Sequence, residues 1–166
     1  NIIEKPEDIE ALQLDTNKPI GFLTQTTLSV LETKQIIDKL KQKYPNIIDG
    51  KSICYATTNR QEAVLELTKQ NCDLIIICGS TTSSNTNRLR ETAEKQGTQT
   101  IMIDNADELD ISILKGKEKI GISSGASVPS YIMDEVVKKI QLHFPKVIVY
   151  NNENKESEVI FKVPEV

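Results

Sequence analysis

The sequence predicts an α/β fold of parallel sheets flanked by helices. Three observations carry that reading. Short apolar runs alternate with helix-period stripes along most of the chain. One run, Leu74-Ile75-Ile76-Ile77-Cys78, is continuous, as in a strand covered on both faces. The runs also end repeatedly in Ser, Thr or Asn clusters that lead into helices, which implies strand–helix units with right-handed crossovers.

The elements follow in order. Gly21-Phe22-Leu23 reads as a short buried strand ending in Thr24-Gln25-Thr26-Thr27. From Val30 the apolar positions Val30, Leu31, Ile36, Ile37, Leu40 and Tyr44 fall at helical spacing, and Pro45 closes that helix. Ile53-Cys54-Tyr55 is a second apolar stub, followed by Thr57-Thr58-Asn59 and a helix carrying Ala63, Val64 and Leu67. The run at Leu74 stops at Gly79, and a hydroxyl-rich turn from Ser80 to Thr86 precedes a helix near Asn87 to Gln96. Thr100-Ile101-Met102-Ile103 is a further strand with Asp104-Asn105 as its turn. Lys119-Ile120-Gly121-Ile122 is the next, ending in Ser123-Ser124-Gly125-Ala126-Ser127. Pro129 stands where helix starts favour proline, and Ile132, Met133, Val136, Val137 and Ile140 give a buried stripe. Val147-Ile148-Val149 and Val159-Ile160-Phe161 flank a polar stretch and suggest a hairpin in the tail.

Composition narrows the function classes. The chain has 166 residues, enough for one large or two small domains, with 38% hydrophobic and 27% charged residues. A formal charge of −4 leaves no basic excess to displace counterions from a nucleic acid. With no Trp and only 4% aromatics, a platform for stacking single-stranded bases is poorly supported. No apolar run approaches the ~20 residues that a membrane-spanning helix needs. Neither a nucleic-acid partner nor a membrane is therefore expected. Three cysteines without CxxC spacing argue for a reducing compartment over a disulfide framework. The chain starts at Asn1 without a leader pattern and is expected to be part of a longer one.

The four polar turns would converge at the carboxyl edge of a parallel sheet, where ligands bind. Helix amino termini there offer unpaired N–H groups and a positive dipole end. Ser83-Ser84-Asn85 and Gly125-Ala126-Ser127 thus read as a cradle for phosphate oxygens, with plain helix capping as the alternative. Cys54 lies before a helix start that favours thiolate, suiting a nucleophile or a metal ligand. The only histidine, His143, reads as a helix C-terminal cap, and Cys72 and Cys78 read as small core residues. Glu62, Glu66, Glu91 and Glu94 fall on solvated helix faces. Arg60 and Arg88 sit in first turns where the dipole disfavours cations, so an anion or a carboxylate should accompany each.

Four strings in order add a resemblance. They are Thr24-Gln25-Thr26-Thr27-Leu28-Ser29, the twelve residues from Ile53 to Val64, Ser83-Ser84-Asn85-Thr86-Asn87-Arg88-Leu89, and Gly125-Ala126-Ser127. Together they closely resemble the 4-hydroxy-3-methylbut-2-enyl diphosphate reductase family of the non-mevalonate isoprenoid pathway. The resemblance implies three pseudo-symmetric α/β domains around a central cavity holding a 4Fe–4S cluster on three cysteines. Residues 1–49 would end the middle domain, 50–145 would form the third, and 146–166 the carboxy-terminal tail. Cys54 matches one cluster ligand, and two further cysteines and an amino-terminal domain are absent from this chain. Thr26 matches a threonine that positions the substrate hydroxyl and relays protons, while Ser83, Ser84, Asn85 and Ser127 match residues that bind the diphosphate. Thr81-Thr82 stands where relatives often carry Lys-Asn. The implied partners are a small diphosphate substrate and an electron donor such as ferredoxin or flavodoxin. The implied compartment is a bacterial cytoplasm or plastid stroma. A non-catalytic phosphate-binding or interaction module derived from such an enzyme is the competing reading.

Overall fold

The computed structural model describes residues 1–25, 27–50 and 55–150. A short helix α1 (Asp8–Ala11) precedes β1 (Gly21–Phe22), α2 (Val30–Lys43) and β2 (Ile48–Asp49). Then come α3 (Tyr55–Lys69), β3 (Leu74–Cys78), α4 (Ser84–Lys95) and β4 (Thr100–Ile103). Two single 3-10 turns, Ala106–Glu108 and Ile111–Leu114, lead to β5 (Ile120–Ser124) and α5 (Ser130–His143). All strand pairs are parallel, β1 with β2 in one sheet and β4-β3-β5 in the other. The α/β architecture read from the sequence is the observed one.

The run Leu74 to Cys78 is central because it serves two cores at once. Successive strand side chains point to opposite faces. Leu74, Ile76 and Cys78 join Ile103, Leu109, Leu114, Val136 and Ile140 on the α5 face. Ile75 and Ile77 join Val64, Cys72, Leu89 and Ala93 beneath α3 and α4. All five residues of β3 are 0% exposed. Each buried Ile or Leu there contributes about 1.5–3 kcal/mol relative to exposure. At the amino-side end of this sheet the Asp73 carboxylate accepts from the backbone N–H of Lys119 and of Glu118, which hold its pKa below the ordinary range.

Around β1 and β2, a smaller core forms from Ile9, Leu40 and Tyr44 with Ile20, Phe22, Ile36 and Ile47 packed against it. Lys43 reaches back over α1 to the carbonyls of Ile9, Glu10 and Leu12, and Tyr44 donates to the Leu12 carbonyl at 2.6 Å. Gln61 on α3 clamps this part to the larger sheet. Its amide donates to the Leu28 carbonyl and accepts from Val30 N–H, both at 2.9 Å. An ion pair between Lys95 and Glu32 ties α4 to α2.

Several local expectations need correction. The second strand among the described residues is Ile48–Asp49, where the sequence suggested none. Tyr55 opens α3, and Ile53 and Cys54 lie outside the described residues. Thr57-Thr58-Asn59 is therefore no turn but part of α3, whose buried stripe runs through Thr57, Gln61 and Val64. Ser123 and Ser124 continue β5, because their backbones stay in register with Ile77 and Cys78. Val147-Ile148-Val149 forms no strand, and the other arm of the expected hairpin lies outside the described residues.

Candidate functional site

The chain leaves β3 and β5 in opposite directions. After β3 it passes to α4, which shares a core with α3; after β5 it passes to α5 on the other face. The carboxyl ends of these adjacent strands are thus a topological switch point, where open parallel sheets form a ligand crevice. Register makes the edge level, since Cys78 lies opposite both Ile103 and Ser124. Gly79 N–H donates to the Ile103 carbonyl at 2.8 Å, and Gly125 N–H to the Cys78 carbonyl at 2.9 Å.

Two glycines let the loops meet. Gly79 has φ +136°, in the region that favours glycine, and a Cβ there would lie 2.8 Å from Thr86 Oγ1 and 2.9 Å from Val128 Cγ2. A Cβ on Gly125 would lie 2.7 Å from the same hydroxyl and 3.6 Å from Asn85 Nδ2. Thr86 is therefore wedged between the two loops, 1% exposed.

The polar residues of the cradle divide into committed and uncommitted groups. Ser83 Oγ accepts from Thr86 N–H at 3.3 Å and so caps α4, as the plainer reading expected. Its own O–H proton remains available to donate, because capping uses only a lone pair. Asn87 donates to the carbonyls of Thr81 and Ser83, bracing the loop from below. Ser80 Oγ and Thr82 Oγ1 lie 2.9 Å apart. Asn85 differs: Oδ1 and Nδ2 are both buried without a hydrogen-bond partner, as is Thr86 Oγ1. Orphaned buried polar atoms cost about 1–3 kcal/mol each, so a cluster of them on a switch-point crevice marks a place for a ligand. Ser84 and Ser127 are exposed at the rim.

Thr26 and Cys54 lie outside the described residues. Among the described residues no three of His, Cys, Asp and Glu are grouped to hold a metal ion. Cys72 and Cys78 belong to the core, and burial raises the pKa of both thiols, that of Cys78 to about 11. At pH 8 the Cys78 thiol holds about a hundredfold less thiolate than an ordinary one. Iodoacetamide is accordingly expected to spare Cys72 and Cys78 in the folded protein and to modify both in denaturant. Rapid native labelling of either, followed by mass spectrometry, would contradict that placement.

His143 ends α5 with Nδ1 2.9 Å from the Lys139 carbonyl oxygen, in keeping with a terminal role. Arg88 pairs with Glu91 at 2.6 Å, so for Arg88 the accompanying group is a carboxylate. Arg60 reaches the sheet edge, where Nη1 donates to Ser124 Oγ at 3.2 Å. Sequence reasoning singled out Arg60 without its partner, and it missed Gln61 and Thr86. Polar residues on the buried stripe of a helix were the available signal for Thr57 and Gln61. No helix among the described residues is long and apolar enough to cross a membrane.

These features define a parallel α/β protein with a polar, neutral crevice at its sheet switch point. The chain belongs to the LytB protein family, whose model matches residues 1–141. It is 40% identical over 165 residues to the 4-hydroxy-3-methylbut-2-enyl diphosphate reductase of Pectobacterium atrosepticum, covering 98% of this chain and 52% of that protein. The reductase of Methylococcus capsulatus is 38% identical with the same coverage. The solved structure of E-1-hydroxy-2-methyl-but-2-enyl-4-diphosphate reductase from Plasmodium falciparum superposes with a TM-score of 0.73 at 38% identity. That match covers 85% of this chain and 45% of the other. The chain thus spans about half the length of the curated relatives it matches.

Proposed function

We propose that these residues form part of a 4-hydroxy-3-methylbut-2-enyl diphosphate reductase, contributing much of the diphosphate site and one cluster ligand. Residues 1–49 end its middle domain, 50–145 form its third, and 146–166 are its tail. The observation that carries the reading is the unpartnered Asn85 side chain, buried at the switch point beside Gly125. Its amide N–H groups suit an oxygen-rich anion, and the free O–H protons of Ser83, Ser84 and Ser127 add neutral donors. The amino terminus of α4, a helix of 12 residues, contributes its dipole at the same place.

Cys54 supplies one thiolate, with α3 beginning at the next residue. A 4Fe–4S cluster needs further thiolates, and these would come from outside the 166 residues, since Cys72 and Cys78 are buried. Such a cluster, when bound, supplies the electrons for removing the substrate hydroxyl to give isopentenyl and dimethylallyl diphosphates. Thr26 holds that hydroxyl and passes it a proton. A ferredoxin or flavodoxin serves as the donor partner.

The test is calorimetric titration of the intact protein with inorganic pyrophosphate. The parent protein is expected to bind, and Asn85→Ala to bind about 10- to 100-fold more weakly, the loss typical of a hydrogen bond to a charged group. Unchanged affinity in Asn85→Ala would remove the cradle from the proposal.

A further inference from the structure

We infer that Arg60 is a positioning residue for the anion crevice, linking α3 to the Gly125-Ala126-Ser127 loop through Ser124; the inference rests on the cradle reading above. Arg60 is the sixth residue of α3, the helix that begins directly after Cys54. Because α3 starts at Tyr55, Arg60 lies past the first turn where the sequence placed it, and the helix dipole is not what its side chain answers to. Arg88 pairs with the Glu91 carboxylate on its own helix. Arg60 sends its guanidinium across the fold to the Ser124 hydroxyl, 64 residues away, at 3.2 Å.

The acceptor is well placed for such a role. Ser124 is 0% exposed, is the last residue of β5, and lies opposite Cys78 in register. The next residue, Gly125, donates to the Cys78 carbonyl and faces both Asn85 and Thr86. Arg60 Nε is also shut away from solvent, and the side chain as a whole is half-buried. One bond therefore fixes the start of the Ser127 loop against the helix that follows Cys54. The same side chain sets a positive charge near a crevice whose own donors, Ser83, Ser84, Asn85 and Ser127, are uncharged.

The experiment compares Arg60→Met, Arg60→Lys, Ser124→Ala and the Arg60→Met/Ser124→Ala double variant in the intact protein. Two readouts are taken: pyrophosphate affinity by calorimetry, and KM against kcat for the diphosphate substrate. Arg60→Met is expected to weaken pyrophosphate binding about tenfold or more and to raise KM in parallel, with kcat changed far less. Arg60→Lys keeps a donor and a charge, and should restore binding to within a few-fold of the parent. Ser124→Ala should cause a smaller loss, and the double variant should bind no worse than Arg60→Met alone, because both changes break one bond. Losses that multiply in the double variant, or a kcat drop without a KM rise, would overturn the assignment. If the parent binds pyrophosphate and Arg60→Met matches it, the Arg60 role alone fails. If the parent does not bind, the cradle fails and the Arg60 role falls with it. Ser124→Ala removes one buried atom and keeps the question answerable should Arg60→Met fold poorly.

Discussion

Cys54→Ser in the intact protein is expected to bring reductase activity to background and to strip most of the iron and the visible charge-transfer absorption. Serine keeps the size and the hydrogen-bonding capacity of the side chain but not the soft thiolate on which iron–sulfur ligation depends. No other thiol in these 166 residues is placed to take over. Cys78 is 0% exposed in β3 with its pKa pushed up to about 11, and Cys72 is held in the core beneath α3. Cys72→Ala and Cys78→Ala should therefore retain full iron per chain, although each leaves a small cavity. Folding provides the control. The β4-β3-β5 sheet draws its stability from cores on both faces of β3, which Leu74 to Cys78 build with residues of α3, α4 and α5. The thermal transition of that sheet is accordingly expected to persist in Cys54→Ser, with the loss confined to iron and turnover. Full iron content with normal activity in Cys54→Ser would remove this residue from the cluster, and with it the main catalytic role proposed for the chain.

The parts of the fold that were legible in the sequence are those written in hydrophobic period. Leu74 to Cys78 is apolar at every position because both of its faces are covered, and α2 and α5 carry stripes at helical spacing. β2 was missed because two residues are too few to show any period, and its pairing with β1 depends on tertiary placement. Tyr55 read as part of a strand stub for the same reason: a few apolar residues fit a strand or a helix start equally well, and Tyr55 opens α3. Thr57 read as a turn residue because it is polar, and Gln61 drew no reading of its own. The structure buries them, and for Gln61 the contacts show how, since its amide takes up one backbone N–H and one carbonyl from the neighbouring loop.

The site was legible in a different way. The cluster of hydroxyl and amide residues after β3 pointed to the crevice, because strand-to-helix turns in parallel sheets share one edge. What the sequence could not carry was the division of labour inside it. Ser83 caps α4 while Asn85 stays unpartnered, a difference set by the direction of each side chain rather than by residue type. The Arg60–Ser124 bond joins residues 64 positions apart, beyond the reach of any local pattern. Thr86 likewise read only as the end of the hydroxyl-rich turn. Its role follows from the two glycines that close on it.

That closure makes Gly79→Ala the substitution with the largest expected effect on stability. Two independent costs fall on one methyl group. The backbone at φ +136° is one that residues with a Cβ rarely adopt, and holding alanine there costs about 1–3 kcal/mol. The new Cβ would also stand 2.8 Å from Thr86 Oγ1 and 2.9 Å from Val128 Cγ2. Neither neighbour can yield easily, because Thr86 is β-branched, 1% exposed and already pressed toward Gly125. Overpacking of this kind adds about 1–3 kcal/mol. The sum, about 2–6 kcal/mol, corresponds to a fall in melting temperature of roughly 5–20 °C for a chain of this size. The relief is expected to come from the loops, since β3 beneath them is buried on both faces and paired on both edges. Moving the start of α4, Ser83–Asn85, away from Gly125–Ser127 would widen the crevice, so pyrophosphate affinity should fall together with stability. Thr86→Ser separates the two effects: it removes the methyl group, keeps the hydroxyl, and in the Gly79→Ala background should recover part of the lost melting temperature. A Gly79→Ala variant that melts with the parent would show that the loops do not meet across Thr86, and the crevice as described would have to be redrawn.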